Sequence, residues 1–332
     1  MKRVENPKVF VARRIPAAAA DRLGQRCEPL YWPDRLPPPR EELINAVEGC
    51  DGILSLLTDP IDGELMDAAG PQLSVVSNFA IGVDNIDVAE ASRRGILVCN
   101  TPGVLTDTTA DLAFALILSA ARRVPEGIDA VREGEWLTWE PEFMLGVDVY
   151  GATLGIVGLG RIGQAVARRA RGFGMTILAL TRTPNPELCK DLGVELVSSL
   201  EELLERSDFV SLHAPLTEQT RGLIDAAALR RMKSTAILVN TARGPLVNQD
   251  DLVRALESNE IRFAALDVTV PEPLPTDHPL AHMTNCLVLP HVGSATEATR
   301  GKMGMMAVVN LIAALDGERP PHMVNPEVFE GW

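Results

Sequence analysis

The chain has 332 residues, of which 46% are hydrophobic and 23% charged, the profile of a soluble globular protein long enough for two domains. Its formal net charge of −14 excludes the basic surface that DNA or RNA binding requires, so an anionic small ligand would have to be held by local cations. The five cysteines, at positions 27, 50, 99, 189 and 286, form no CxxC pair, which argues against a disulfide framework and for a reducing compartment.

From the N-terminus, "MKRVENPKVFVARR" lacks the apolar core of a signal peptide, and a cytoplasmic protein without a membrane partner is expected. Short apolar runs then alternate with helix-like stretches. "KVFVA" (8–12), "GILSLL" (52–57), "LSVVSN" (73–78) and "GILVCN" (95–100) form a first group of strands. "TLGIVG" (153–158), "TILAL" (176–180), "DFVSLH" (208–213), "AILVN" (236–240), "FAALDV" (263–268) and "CLVLP" (286–290) form a second. Apolar runs without alternation suit strands buried on both faces of a parallel sheet. The expected fold class is therefore α/β, with doubly wound parallel sheets in two domains. Between the groups, Pro102 and Gly103 break the chain, and Thr106 or Asp107 can cap a long helix beginning near Thr109. "LAFALILSAA" (112–121) is about half the ~20 residues that cross a bilayer, so a buried helix is predicted. Residues 122–150 read as irregular and carry Trp136 and Trp139. A last helix, around 297–316, could return to the first domain and make it discontinuous.

Gly158, Gly160 and Gly163 form a G-x-G-x-x-G motif that follows a strand and opens a helix, the context of a dinucleotide site. In such a site Gly158 permits the turn, Gly160 lets the backbone approach a pyrophosphate, and Gly163 lets helix and strand pack closely. About 20 residues beyond the motif an acid would hold the ribose 2′-hydroxyl. Here stand Thr181, Arg182 and Thr183, and a guanidinium with neighbouring hydroxyls suits a 2′-phosphate. The expected cofactor is NADP(H), preferred over NAD(H).

Reducing a carbonyl beside a nicotinamide takes a proton donor, a cation for the developing oxyanion and an orienter for the donor. Arg243, Glu272 and His291 sit at the ends of successive strand runs, where open α/β sheets place ligands. His278 and His282 have the i,i+4 spacing of metal ligands, but Pro279 and the lack of a third ligand nearby weigh against a metal, and none is expected.

The blocks "GLGRIGQAVARRARGFGM", "NTARGPLVNQDDLVRAL", "LDVTVPEPLPTDHPL" and "VLPHVGSAT" resemble the D-isomer-specific 2-hydroxyacid dehydrogenases. "NTPGVLTDTTADLAFAL" and "GEWLTWEPEFMLGVDVYG" narrow the resemblance to the glyoxylate/hydroxypyruvate reductases. The resemblance covers almost the whole chain. It implies a discontinuous flavodoxin-like substrate domain (1–101 and 295–332), and a Rossmann coenzyme domain (102–294) with a dimerisation arm at about 104–150. It also implies an active-site cleft that closes on substrate, and a homodimer. Arg243, Glu272 and His291 take the catalytic positions, with His291 donating a proton, Glu272 keeping it protonated and oriented, and Arg243 holding the 2-oxo acid. Ile81 and Gly82 match the loop whose backbone N–H groups bind the substrate carboxylate, Ser294 follows the catalytic histidine, and Trp139 would reach into the site of the partner subunit. Cofactor contacts are implied for Leu159, Arg161, Ile162, Thr109, His213, Pro215, Thr241, Ala242, Asp267 and Gly293, beside the three glycines and the 181–183 turn. The expected reaction is NADPH-dependent reduction of glyoxylate or hydroxypyruvate to the 2-hydroxy acid. A formate- or phosphite-type dehydrogenase and a nucleotide-sensing corepressor are the competing readings.

Overall fold

The structure, a computed structural model, describes residues 5–332. Residues 1–4, part of the expected 1–101 segment and of "MKRVENPKVFVARR", lie outside the described residues. The chain forms two compact units, one ending at Leu105 and completed by Ala295–Trp332, the other Thr106–Ser294. Residues 102–105, placed with the second domain on sequence grounds, belong to the first unit.

The first unit is built on five parallel strands: β1 (Lys8–Val11), β2 (Glu28–Tyr31), β3 (Gly52–Ser55), β4 (Val75–Asn78) and β5 (Leu97–Cys99), in the order β2-β1-β3-β4-β5. That is the flavodoxin-like order. Side chains alternate across it. Val9, Val11, Leu54, Val75 and Leu97 pack on Ala307, Val308, Leu311 and Leu315 of the helix Glu297–Leu315. Phe10, Ile53, Val76 and Val98 face the opposite layer, against Leu43, Leu65 and Met66. Each such fully buried Leu or Ile contributes about 1.5–3 kcal/mol. The late helix therefore does complete the first unit. Its Gly304 lets it lie close, since a Cβ there would meet Pro16, Phe79 and Ala19 at 3.0–3.2 Å.

The second unit has seven parallel strands: β6 (Thr153–Val157), β7 (Thr176–Leu180), β8 (Val194–Leu196), β9 (Phe209–Leu212), β10 (Ile237–Asn240), β11 (Phe263–Leu266) and β12 (Cys286–Val288). Their order, β12-β11-β10-β9-β6-β7-β8, is the doubly wound dinucleotide-binding arrangement with one strand added. The order reverses between β6 and β9, and ligands bind at such a switch point, outside the carboxyl ends of the strands.

Two strands carried no apolar signal, β2 ("EPLY") and β8 ("VEL"); both are sheet edges, where short polar segments and a proline such as Pro29 are tolerated. The long helix starts at Thr106, three residues before its expected start, and runs to Ala121. It buries Ala110, Ala113, Phe114 and Ile117. Residues 122–150 are not wholly irregular. Val124–Arg132 is a helix with proline in its first turn, and its Val124, Ile128 and Val131 are exposed. No helix among the described residues is long and apolar enough to cross a membrane.

Candidate active site

The glycine turn follows β6. Gly158 has φ +97°, and a Cβ on it would lie 2.7 Å from the Ala214 backbone nitrogen. A Cβ on Gly163 would lie 2.2 Å from the Gly158 oxygen, so the helix Arg161–Gly172 presses directly on the turn. Gly160 differs: a Cβ there meets nothing within 4 Å, and open space lies above it. Gly160 caps the helix without a side-chain hydrogen bond, so the first N–H groups remain available beside that space, at Arg161 and Ile162. This is a cradle of the kind a pyrophosphate fills, and a nicotinamide dinucleotide fits it. Just after β10, on the same side of the sheet, the Thr241 hydroxyl is a further polar group that is buried with no hydrogen-bond partner.

Thr181, Arg182 and Thr183 form the turn after β7. Leu180 at its start accepts from the Gly158 N–H at 2.9 Å, which ties this turn to the glycine loop. Arg182 and Thr183 are exposed. His213 and Pro215 follow β9; the His213 ring nitrogen Nε2 is 2.8 Å from Ser211 Oγ. Burial pushes the His213 imidazole down to about 4 from its ordinary 6.5, so it is neutral near pH 7.

Three adjacent strands deliver the catalytic candidates. Arg243 follows β10, Glu272 follows β11 and His291 follows β12, and the three strands are paired in register. His291 Nδ1 lies 2.7 Å from Glu272 Oε2, and the other carboxylate oxygen accepts from Thr269 N–H at 3.2 Å. Glu272 is therefore fixed at both oxygens. Two X–Pro bonds of this loop, Val270–Pro271 and Glu272–Pro273, are cis. His291 has φ +53°, a left-handed conformation that costs a non-glycine residue about 1–3 kcal/mol. Asp267 holds it there. The Asp267 carbonyl accepts from His291 N–H at 3.0 Å, and its two carboxylate oxygens accept from Val292 N–H at 2.7 Å and Gly293 N–H at 2.8 Å. Burial raises the Asp267 pKa, opposed by these N–H groups and by His291. The Gly293 carbonyl is in turn held by Thr109 Oγ1 at 3.2 Å. Asp267 and Thr109, matched by resemblance to cofactor contacts, thus also set the loop that carries His291.

Four residues were not singled out from sequence. Gly244 brings the loop that carries Arg243 against the one that ends in Glu272: a Cβ there would lie 2.1 Å from the Thr269 oxygen, and the Arg243 guanidinium donates to the Ala242 carbonyl at 2.8 Å. Asn240 fixes the 241–243 turn, its Nδ2 donating to the Arg243 carbonyl at 2.9 Å and its Oδ1 accepting from Ala242 N–H at 3.0 Å. Gln249 Oε1 accepts from Val270 N–H at 2.9 Å. Ser211 is the fourth. Asn240, Gly244 and Gln249 lie in "NTARGPLVNQ", but no spacing rule marks them. His278 and His282 are engaged elsewhere, with Leu280 N–H donating to His278 Nδ1 and His282 Nε2 at 2.7 Å from the Thr276 carbonyl.

Ile81 and Gly82 lie in the other unit, in the loop after β4, and Ser294 closes the unit that carries His291. Trp139 stands apart on the irregular segment after the helix Val124–Arg132, 81% exposed.

The family model for the D-isomer specific 2-hydroxyacid dehydrogenase, NAD binding domain, matches residues 114–293. A glyoxylate reductase of Korarchaeum cryptofilum is 54% identical, covering 98% of this chain and 97% of the relative. A glyoxylate reductase/hydroxypyruvate reductase of Homo sapiens is 46% identical over 97% of this chain and 98% of its own. A solved structure of an NADPH-dependent glyoxylate/hydroxypyruvate reductase from Sinorhizobium meliloti, in complex with NADP and malonate, superposes with a TM-score of 0.84 at 33% identity, covering 98% of each chain. With the doubly wound sheets, the glycine cradle and the histidine–carboxylate pair, these matches establish that the chain belongs to the D-isomer specific 2-hydroxyacid dehydrogenases and is an NAD(P)-dependent oxidoreductase.

Proposed function

We propose that this chain reduces a small 2-oxo acid, glyoxylate or hydroxypyruvate, to the 2-hydroxy acid, and that it prefers NADP(H) to NAD(H). The names of its relatives support the substrate class. The observation that carries the mechanism is the 2.7 Å contact between His291 Nδ1 and Glu272 Oε2. With Nδ1–H donated to the carboxylate, the second proton of the imidazolium sits on Nε2 and is the one given to the carbonyl oxygen. Glu272 accepts the hydrogen bond of the ring and fixes its plane. Arg243 forks onto the substrate carboxylate and carbonyl and stabilises negative charge developing on oxygen. The backbone N–H groups of Ile81 and Gly82 receive the carboxylate. When bound, a nicotinamide dinucleotide would supply the hydride that reduces the carbonyl carbon. Gly158 to Gly163 would hold its pyrophosphate, and Arg182 with Thr181 and Thr183 its 2′-phosphate.

The exposed apolar side chains of the arm, Trp136, Leu137 and Trp139 among them, support pairing of two copies, with Trp139 contributing to substrate selection in the site of the partner subunit. Five unpaired cysteines fit a reducing, cytoplasmic setting.

The test is loss of NADPH absorbance on adding glyoxylate, hydroxypyruvate or pyruvate. His291→Asn should lower kcat by about 10²–10⁴-fold while leaving NADPH binding, read by fluorescence, unchanged. No turnover of any of the three acids by the native protein would reject the reading. A gain of absorbance with NADP⁺ and formate or phosphite would point to the other dehydrogenase chemistry.

A further inference from the structure

The loop after β4 is clamped by its carbonyl groups. The Ala80 carbonyl accepts from Thr101 N–H at 2.9 Å. The Ile81 carbonyl accepts from Asn100 Nδ2 at 2.8 Å, and the Gly82 carbonyl from Asn78 Nδ2 at 2.8 Å. Three successive carbonyls are thus drawn into the body of their unit. In a planar trans peptide the C=O and the following N–H point in opposite directions. The N–H groups of Ile81, Gly82 and Val83 are therefore turned away from that body, and no acceptor among the described residues takes them. Successive N–H groups presented on one side form an anion-receiving concavity.

The clamps are themselves locked. Asn78 is fully buried; its second Nδ2 proton goes to Asn85 Oδ1 at 3.0 Å, and its Oδ1 accepts from Ser55 Oγ at 3.0 Å. Asn85 Nδ2 donates to the Leu56 carbonyl at 3.0 Å and the Asp59 carbonyl at 2.9 Å. Asn100 is held through its own carbonyl, which accepts from Asn310 Nδ2 at 3.0 Å. The Asn78 amide is thus tied to the neighbouring strand and to Asn85, and the backbone of Asn100 to the helix Glu297–Leu315.

We infer that Asn78 and Asn100 are positioning residues that build the carboxylate receptor of this loop, and that Val83 N–H is a third donor beside those of Ile81 and Gly82. The inference rests on the proposed reduction of a 2-oxo acid and adds to it the groups that shape its anion subsite. Asn100, half-buried, is the better position to change. Asn100→Asp keeps the size but sets a carboxylate oxygen against the Ile81 carbonyl in place of a donor.

The probe is oxamate, a stable 2-oxo carboxylate, titrated calorimetrically into the full-length protein saturated with NADPH. Asn100→Asp should weaken oxamate about tenfold or more and raise the glyoxylate KM in step. Its kcat, NADPH affinity and melting temperature should stay close to those of the native chain, a split that general loosening would not produce. In the unsubstituted protein, the amide NMR signals of Ile81, Gly82 and Val83 should shift together on saturation with oxamate. That measurement decides the matter even if the variant fails to fold. Native-like oxamate binding by Asn100→Asp, or three unmoved amide signals in a protein that does bind oxamate, would overturn the inference. A native protein that neither binds oxamate nor turns over a 2-oxo acid would instead remove the functional reading beneath it.

Discussion

At the scale of single residues, His213 carries the clearest pH signature. Its ring is pushed down to about 4 from 6.5 by burial, so the unfolded chain binds its proton more readily than the folded one between those values. Stability from this group is complete above pH 6.5 and is lost as pH falls toward 4, where the folded ring at last protonates. Native protein and His213→Asn should therefore show urea midpoints that diverge across that window, the native one falling more steeply on acidification; parallel curves would remove this account. Arg182 makes a different prediction. A guanidinium facing a 2′-phosphate forms charge-assisted bonds of about 1.5–3 kcal/mol, so Arg182→Glu should raise the NADPH KM about 10- to 100-fold and leave that for NADH little changed. Equal effects on the two cofactors would deny Arg182 that role. The residue types of His291, Glu272 and Arg243 were legible in sequence because strand ends and flanking prolines mark them. The role of Asp267 in holding the 291–293 loop was not, because both loop and carboxylate had to be folded before its oxygens could meet those N–H groups.

Between elements, the decisive contacts are backbone to backbone. Gly244 has no room for a Cβ beside Thr269, and its neighbour is main chain that cannot rotate away. Gly244→Ala should push the loops after β10 and β11 apart and lower kcat by about 10²-fold through misplacement of Arg243, with weaker effects on NADPH binding. Steady-state kinetics beside cofactor fluorescence would check it, and an unchanged kcat would show that the loops can give. A central strand such as β10 shows itself as an apolar run because both its faces are covered. Edge strands β2 and β8 do not, since only pairing to a neighbour makes them strands. The helix Val124–Arg132 was missed for a related reason: its apolar positions are spaced for one face, but the unit itself leaves that face exposed.

For the molecule as a whole, the exposed arm is the surface proposed to receive a second copy. Trp136, Leu137 and Trp139 are 61%, 86% and 81% exposed, more apolar surface than a solitary chain usually displays in one segment. Light scattering should give twice the mass of one chain for the native protein and a lower mass for Leu137→Asp. A native mass of one chain would leave this surface to another partner. What the sequence by itself determined was the class of structure and the chemistry of its parts: parallel strands from unalternated apolar runs, a phosphate cradle from glycines that open a helix, and a histidine, a carboxylate and a guanidinium at strand ends. Those are local properties, set by pattern and side-chain type. Only the tertiary structure decided which strands are neighbours, which side chains of the helix Glu297–Leu315 meet the first sheet, and that Asn78 and Asn100 seize the carbonyls of one loop. Such contacts join residues far apart along the chain, and their geometry exists only once the layers have packed.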